Sequence, residues 1–275
     1  MAKKAKKKQT NMNVVRGLLA FLVAIAVFYG AKLIPQLTNT ANPDTNPPYS
    51  DTQGSTQTGY STEFSLDDIE PFSGEPYTVV NGDVPYFTED DITTEPFELF
   101  TDLDDLGRCG PAYANVCQEL MPTEERGSIG SVKPSGWHLN KYDCVDGKYL
   151  YNRCHLLGYQ LTGENANVKN LITGTRYLNV TGMLPFENEI ADYVHETDNH
   201  VLYRVTPVFE GDNLVANGVL MEALSVEDDT IEFCVFCYNV QPGVKIDYGT
   251  GLNWADAIFR SKSQKHILCS EPVTS

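Results

Sequence analysis

Hydrophobic and polar residues alternate over three stretches in the second half of the chain, a period typical of half-buried β-strands. The stretches run from His200 to Phe209, from Leu214 to Ser225 and from Thr230 to Asn239. Before them, from Pro185 to about Thr197, apolar residues recur at helical spacing, and proline is favoured at the first position of a helix. The apolar face of this helix comprises Phe186, Ile190, Tyr193 and Val194. The pattern predicts an α+β domain with a mixed or antiparallel central sheet.

Shorter signals lie on either side of this region. The run from Tyr149 to His155 predicts a strand, and the polar stretch 162–170 after it predicts a loop. A segment with helical spacing follows and carries Arg176, Tyr177 and Asn179. Two β-rich runs around Asn81-Gly82, within residues 77–87, predict a hairpin. A short amphipathic helix is expected at 254–259.

The N-terminal region differs from the rest in composition. A lysine cluster in residues 1–9 precedes an apolar run that covers residues 17–30 and continues to Pro35. A positive flank before an apolar segment predicts export with the N-terminus in the cytoplasm. We expect a transmembrane signal-anchor in residues 1–36, a disordered linker in 37–75 and a folded domain in 76–275. The alternative is a signal peptide that is cleaved, which would release the domain.

Charge is unevenly distributed along the chain. The formal net charge is −17. Residues 1–36 hold seven lysines and arginines and no acid, so the remainder carries 13 basic against 37 acidic side chains. This field repels polyanions and argues against a nucleic-acid ligand. Residues 120–180, however, carry seven basic against five acidic side chains. A local basic groove could therefore still hold phosphate.

The window from Tyr149 to Glu187 collects residues that suit hydrolysis of a phosphodiester with one divalent metal. It places His155 at a strand end, an arginine two residues before it, two asparagines and a carboxylate downstream. A neutral histidine can deprotonate water, and an asparagine oxygen can ligate a hard cation that keeps most of its waters. Arginine can hold a phosphate group.

These residues also carry a resemblance. Asn152-Arg153-Cys154-His155 resembles the Asp/Asn-Arg-Gly/Cys-His signature of the DNA/RNA non-specific endonucleases, the ββα-metal group. The sequence is most similar to the membrane-anchored DNA-entry nucleases of Gram-positive bacteria within that group. The similarity continues through His155-Leu-Leu-Gly-Tyr, Lys169-Asn170 and Asn179 to Glu187, and covers roughly residues 76–252. Cys154 replaces the more familiar glycine.

The resemblance implies a ββα-metal catalytic core and a role for each matched residue. His155 would be the general base and Asn179 the direct ligand of Mg²⁺, for which Mn²⁺ could substitute. Asn170 would contact phosphate or fix the metal waters, and Glu187 would orient those waters. Arg153 shares a strand face with His155 and could reach phosphate, or it could make a structural pairing. Candidates for substrate phosphate contacts are Arg126, Lys133 and Arg176.

The partners implied are DNA and also RNA as substrates outside the cell, and a membrane through the N-terminal helix. DNA uptake is implied only by the resemblance. A second hypothesis is a catalytically silent surface module that binds nucleic acid or an envelope partner. A third is a cysteine hydrolase using Cys154 beside His155, but neighbours on a strand face opposite sides and make a poor nucleophile and base.

The chain has seven cysteines, so at least one lacks a partner if the others are paired. We interpret Cys154 as a small buried residue or a disulfide partner. Cys234 and Cys237 have C-x-x-C spacing, but the chain contains no second pair of this type and the segment reads as a strand. Zinc binding or thioredoxin-like chemistry is therefore disfavoured.

Overall fold

The computed structural model describes residues 64–256. The predicted signal-anchor and most of the predicted linker lie outside this range, as do residues 257–275. No helix within residues 64–256 is long and apolar enough to cross a bilayer.

The described residues form ten strands: β1 (Tyr77–Val79), β2 (Phe97–Phe100), β3 (Ala112–Val116), β4 (Tyr151–His155), β5 (Leu171–Thr175), β6 (Val201–Val208), β7 (Gly218–Ser225), β8 (Glu232–Tyr238), β9 (Val244–Ile246) and β10 (Asn253–Ala255). The central element is a six-stranded sheet in which every neighbouring pair is antiparallel, in the order β1-β8-β7-β6-β3-β2. Two further two-stranded sheets pair β4 with β5 and β9 with β10.

The helices are short except for one. A single turn, α1 (Tyr159–Thr162), follows β4, and a π-helical segment (Leu178–Met183) leads directly into the long helix α2 (Leu184–Thr197). Single 3₁₀ turns cover Leu66–Asp68, Asn81–Asp83 and Glu89–Asp91.

Helix α2 confirms the prediction made from its spacing and from Pro185. Ile190 and Val194 are fully buried, and Tyr193 is nearly so. Phe186 packs on the sheet, with its ring centroid 4.8 Å from that of Phe233. The principal hydrophobic core lies between α2, the π-helical segment and one face of the six-stranded sheet. Because α2 is fixed on the sheet, its first turn has a defined position beside the β4–β5 pair.

The three predicted C-terminal strands are confirmed as β6, β7 and β8, but two local predictions are wrong. The residues around Asn81-Gly82 do not form a hairpin: β1 pairs with β8 instead, and Asn81–Asp83 is a 3₁₀ turn. Trp254 lies in β10 rather than in a helix, because it pairs with Lys245 of β9. Residues 257–259 of the helix predicted at 254–259 lie outside the described residues.

Residues 64–75, which the sequence predicts as linker, contact the sheet. The Phe64 ring stacks on Phe236 with centroids 5.9 Å apart. The Tyr238 hydroxyl donates to the main-chain oxygen of Glu70 at 2.7 Å. This segment therefore packs against the C-terminal half of β8.

Candidate active site

The four signature residues, Asn152 to His155, lie in β4 and reach the end of the β4–β5 pair. The two strands are antiparallel, with His155 opposite Leu171 and Cys154 opposite Ile172. His155 is the last residue of β4, so its side chain stands where the strand gives way to the loop that contains α1. A strand end supported by a sheet partner is a rigid platform for a reactive side chain.

A cavity of about 210 Å³ opens at this strand end. It lies between β4, α1, the π-helical segment and the first turn of α2. Its lining residues are Arg126, His155, Gly158, Tyr159, Gln160, Asn179, Leu184 and Glu187. The structure thus brings together four of the predicted site residues from four separate parts of the chain.

A larger cavity, of about 620 Å³, lies elsewhere, between residues 66–72 and β8. Its polar lining includes four carboxylates but no histidine, lysine or arginine. A phosphate group would be repelled there. We therefore place phosphate chemistry in the smaller cavity.

His155 is held in one tautomer by its surroundings. Its Nε2 lies 2.8 Å from the main-chain oxygen of Asn165, which can only accept, so Nε2 carries the proton. The Nδ1 lone pair then accepts from Nη2 of Arg126 at 3.2 Å. Burial lowers the pKa of His155 to about 4, opposed by its bond to the Asn165 oxygen and assisted by the Arg126 charge. The imidazole is neutral at pH 7 and offers Nδ1 as a base.

Asn179 projects into the cavity from the π-helical segment, a geometry that often occurs at functional positions. Its Oδ1 accepts a hydrogen bond from the Cys154 thiol, with Sγ 3.1 Å away. Its Nδ2 lies 3.5 Å from Oδ1 of Asn152. The amide is thereby oriented by two residues of the strand signature.

Glu187 is in the first turn of α2 and is 8% exposed. Burial raises the pKa of its carboxyl to about 8, although the Arg126 charge acts in the opposite direction. A carboxylate at this position needs a cation to remain charged at neutral pH. Glu187 and Asn179 together offer hard oxygen donors, which suit Mg²⁺ or Mn²⁺ rather than a soft metal. Within residues 64–256 no cluster of three or more histidines, cysteines and carboxylates could hold an ion by itself.

Glycine at position 158 makes room for this carboxylate. A Cβ there would lie 2.8 Å from Oε1 of Glu187 and 3.0 Å from Oε2. Neither Gly158 nor the Asn165 carbonyl was singled out from the sequence. Gly158 belongs to the His-Leu-Leu-Gly-Tyr run and could have been found there, whereas the main-chain oxygen of Asn165 leaves no signal in residue type.

Asn170 does not face the cavity. It is fully buried, and both ends of its amide bond the main chain of Leu157: Oδ1 accepts from the N–H at 2.8 Å and Nδ2 donates to the carbonyl at 3.0 Å. This corrects the predicted contact with phosphate or metal waters. Asn170 fixes the backbone two residues after His155 and so positions the site indirectly.

Three predicted basic residues also lie outside the cavity. The Arg153 guanidinium donates to the main-chain oxygens of Val132 and Gly130 and lies over the Trp137 ring, 4.2 Å from its centroid, which is the structural alternative for this residue. Arg176 forms a 2.9 Å ion pair with Asp146 beside another cavity. Lys133 is exposed.

The cysteine of the strand signature is a poor nucleophile in this arrangement. Cys154 is fully buried and not disulfide-bonded, and burial raises the pKa of its thiol well above the ordinary value. A neutral thiol is a poor nucleophile. Cys234 and Cys237 are also free and buried, on β8, and Cys144 is disulfide-bonded.

A two-stranded antiparallel sheet followed by a helix, with histidine, asparagine and glutamate around one cavity, resembles the core of the ββα-metal nucleases. Comparison with known proteins agrees. Residues 88–227 match the family model described as DNA/RNA non-specific endonuclease. The chain therefore belongs to the DNA/RNA non-specific endonuclease family.

The individual proteins that resemble this chain share a third or less of its sequence over the aligned residues. A deoxyribonuclease from Streptococcus dysgalactiae subsp. equisimilis is 33% identical over 108 residues, 38% of this chain. The alignment spans about a third (32%) of that relative's length. The structure of NucA from Streptococcus agalactiae with a magnesium ion bound is 24% identical, with a TM-score of 0.59, covering 66% of this chain and 92% of NucA. The Sda1 nuclease with a bound zinc ion is 24% identical, with a TM-score of 0.54, covering 64% and 95%. At this identity the two structures show a shared fold.

Proposed function

We propose that this protein is a metal-dependent endonuclease that hydrolyses phosphodiester bonds of DNA, and also of RNA, without sequence preference. The observation that carries the proposal is the single neutral tautomer of His155, whose Nδ1 faces a cavity shared with Asn179, Glu187 and Arg126. A base, hard oxygen donors and a guanidinium are the groups that this reaction requires.

In the proposed reaction, Nδ1 of His155 takes a proton from the water that attacks phosphorus. The Nε2–H bond to the Asn165 oxygen keeps the ring in place and stabilises the imidazolium that forms. In the structure Arg126 donates a hydrogen bond to Nδ1 of His155. When substrate binds, the guanidinium would donate to a phosphate oxygen instead, which leaves Nδ1 free to act as the base.

Asn179 would hold the divalent cation through Oδ1, and Glu187 would orient the waters of that cation. When bound, a hydrated Mg²⁺ would stabilise the negative charge that develops on the phosphate and on the leaving oxygen. The NucA structure with magnesium and the Sda1 structure with zinc are consistent with a divalent ion in this fold. Mg²⁺ is our proposal because the donors here are oxygens; Mn²⁺ would substitute.

We also propose that residues 1–36 anchor the protein in the cell membrane with the nuclease domain outside, where it meets extracellular DNA. The support is the lysine cluster followed by an apolar segment. If the segment is cleaved, the protein would be secreted. A role in DNA uptake is consistent with either location.

The test uses the full chain and supercoiled plasmid, first with Mg²⁺ and then with excess EDTA. We expect nicked and linear products only with the metal, and none from His155→Ala, which should still bind DNA. A folded wild-type protein that leaves plasmid and RNA intact with Mg²⁺, Mn²⁺ and Ca²⁺ would instead favour the silent binding module. Loss of cleavage in Cys154→Ser together with retention in His155→Ala would favour the cysteine hydrolase.

A further inference from the structure

The thiol of Cys154 has no part in the reaction proposed above, although it makes the shorter of the two side-chain hydrogen bonds of the Asn179 amide. Its Sγ lies 3.1 Å from Oδ1 of Asn179. Cys154 is completely buried, with 0% of its surface accessible to solvent. A buried protonated thiol has one hydrogen to donate, and the amide oxygen is the nearest of its three acceptors, since the Met183 thioether lies at 3.5 Å and the main-chain oxygen of His155 at 3.7 Å.

This contact restricts the orientation of the Asn179 amide. In the observed orientation Oδ1 accepts from the thiol, and Nδ2 points towards the acceptor Oδ1 of Asn152 at 3.5 Å. If the Asn179 amide were rotated by half a turn, its Nδ2 would face the S–H donor of Cys154. Its Oδ1 would then face Oδ1 of Asn152, so that two acceptors would be in contact. The thiol and the Asn152 oxygen therefore both disfavour the orientation that would present nitrogen, which cannot ligate Mg²⁺.

The opposite strand is built to accept a side chain at position 154. Gly174 is opposite Asn152 on β5, on the same sheet face as Cys154, and a Cβ at Gly174 would meet Cβ of Cys154 at 2.5 Å and its Sγ at 3.2 Å. The absence of a side chain at Gly174 is what leaves the space for the thiol. The Cys154 side chain is thus packed in one place, within hydrogen-bond distance of Asn179.

We propose that Cys154 is a positioning residue, whose S–H bond to Oδ1 fixes the Asn179 amide with its oxygen presented to the divalent cation. This inference rests on the proposed function, since Asn179 is taken as the ligand. Groups that orient a metal ligand typically change metal affinity by about tenfold or more when they are removed.

The test compares Mg²⁺ binding by isothermal titration calorimetry in three full-length variants. Cys154→Ala removes the donor and should weaken Mg²⁺ binding about tenfold. Cys154→Ser keeps a donor, although its oxygen is drawn back by about 0.4 Å because the bond to Cβ is shorter, and should recover most of the loss. Cys237→Ala is the matched control: Cys237 is also fully buried with its Sγ 3.5 Å from a methionine sulfur, Met221, and it should leave Mg²⁺ binding unchanged.

Plasmid cleavage against Mg²⁺ concentration gives a second measurement. The half-saturating concentration should rise in Cys154→Ala in parallel with the dissociation constant, while the rate at saturating Mg²⁺ stays within about threefold of wild type. Equal effects of Cys154→Ala and Cys237→Ala on Mg²⁺ binding, or identical behaviour of the alanine and serine variants, would overturn the positioning role. Failure of the proposed function looks different, because the wild type itself would then not cleave.

If Cys154→Ala does not fold, infrared spectra of the wild type and of Cys154→Ser test the same hydrogen bond. The S–H stretching band that disappears in the serine variant should be that of a hydrogen-bonded thiol, and it should shift when Mg²⁺ is added to the wild type. A band at the position of a free thiol, or one that ignores Mg²⁺, would overturn the proposal.

Discussion

The Nε2–H of His155 donates to the main-chain oxygen of Asn165 at 2.8 Å, and this bond determines which ring nitrogen can act as the base. A carbonyl only accepts, so the proton must be on Nε2 and the lone pair on Nδ1, inside the cavity. Asn165 lies ten residues after His155 in the chain, so the loop that carries it fixes the ring orientation of the proposed base.

Replacing this base should abolish cleavage but not binding. We expect His155→Ala to reduce the rate roughly 100- to 10,000-fold, the usual range for a general base. DNA affinity in EDTA should stay within a few-fold of wild type. The matched control is His138→Ala, since the Nε2 of His138 also lies near a carbonyl, that of Thr250 at 3.1 Å, but outside the cavity. Comparable losses in both variants would contradict the assignment of the base.

Arg126 should matter far more than the two other predicted phosphate contacts. It alone of the three lines the cavity. Arg126→Ala removes a charge-assisted contact and should lower kcat/KM by about 10- to 100-fold. Arg176→Ala and Lys133→Ala should each change it less than threefold, because Arg176 is paired with Asp146 and Lys133 is exposed. Steady-state kinetics on plasmid at fixed salt would check this, and equal losses in all three variants would favour a diffuse basic surface.

Much of the fold could be predicted from the sequence, and the failures have local causes. The alternation from His200 to Asn239 and the apolar spacing after Pro185 gave the right elements because a half-buried strand and an amphipathic helix each impose a period. The hairpin prediction at Asn81-Gly82 failed because Tyr77–Val79 pairs with β8, 156 to 160 residues later, and a turn signal contains no information on such pairing.

The candidate site could be predicted to a similar extent. His155, Asn179 and Glu187 meet in the cavity as the signature and its spacing indicate. Asn170 could not be assigned its role, because an asparagine that binds phosphate and one that bonds a buried backbone are the same in sequence. Whether an arginine faces a cavity or a pair of carbonyls, as Arg153 does, also depends on contacts made only in the folded chain.

Asn170→Ala should reduce stability rather than chemistry. It leaves the Leu157 N–H and carbonyl, both buried, without their amide partner, which we expect to cost roughly 2 to 4 kcal/mol. Urea unfolding should show a lower midpoint with an unchanged m-value. Activity per folded molecule, measured well below the midpoint, should fall much less than in His155→Ala. A loss of activity as large as that of His155→Ala in fully folded protein would restore the predicted direct role.

The Glu187 carboxyl should make the metal-free protein less stable as the pH rises. Its folded pKa of about 8 exceeds the ordinary value of 4.5, so the folded state binds a proton that the unfolded state has released. The resulting stabilisation is complete below about pH 4.5 and is lost as the pH rises through about 8, by about 3 to 5 kcal/mol. Glu187→Gln cannot ionise, so in EDTA at pH 9 it should unfold at higher urea than wild type.

Mg²⁺ provides the complementary test of this carboxyl. A cation in the cavity stabilises the charged form, so Mg²⁺ should raise the unfolding midpoint of wild type most at high pH. Glu187→Gln should respond weakly and should cleave poorly, which makes it a variant that gains stability while it loses function. A wild-type midpoint in EDTA that does not change between pH 5 and 9 would show that Glu187 is not buried as described.

Positions 154 and 174 should show strong coupling of their stability effects. In Gly174→Ala the new Cβ would lie 2.5 Å from Cβ of Cys154, so the strands must separate, which we expect to cost about 2 to 3 kcal/mol. Cys154→Gly removes the Cβ that the new methyl group would meet, and the double variant should therefore be more stable than the sum of the two single effects by at least about 1 kcal/mol. Cys154→Ala is the control, because it keeps Cβ and should relieve the Gly174→Ala defect much less. Urea midpoints of the single and double variants complete the cycle, and additive effects for both substitutions at position 154 would mean that the two strands do not pack at this point as the structure shows.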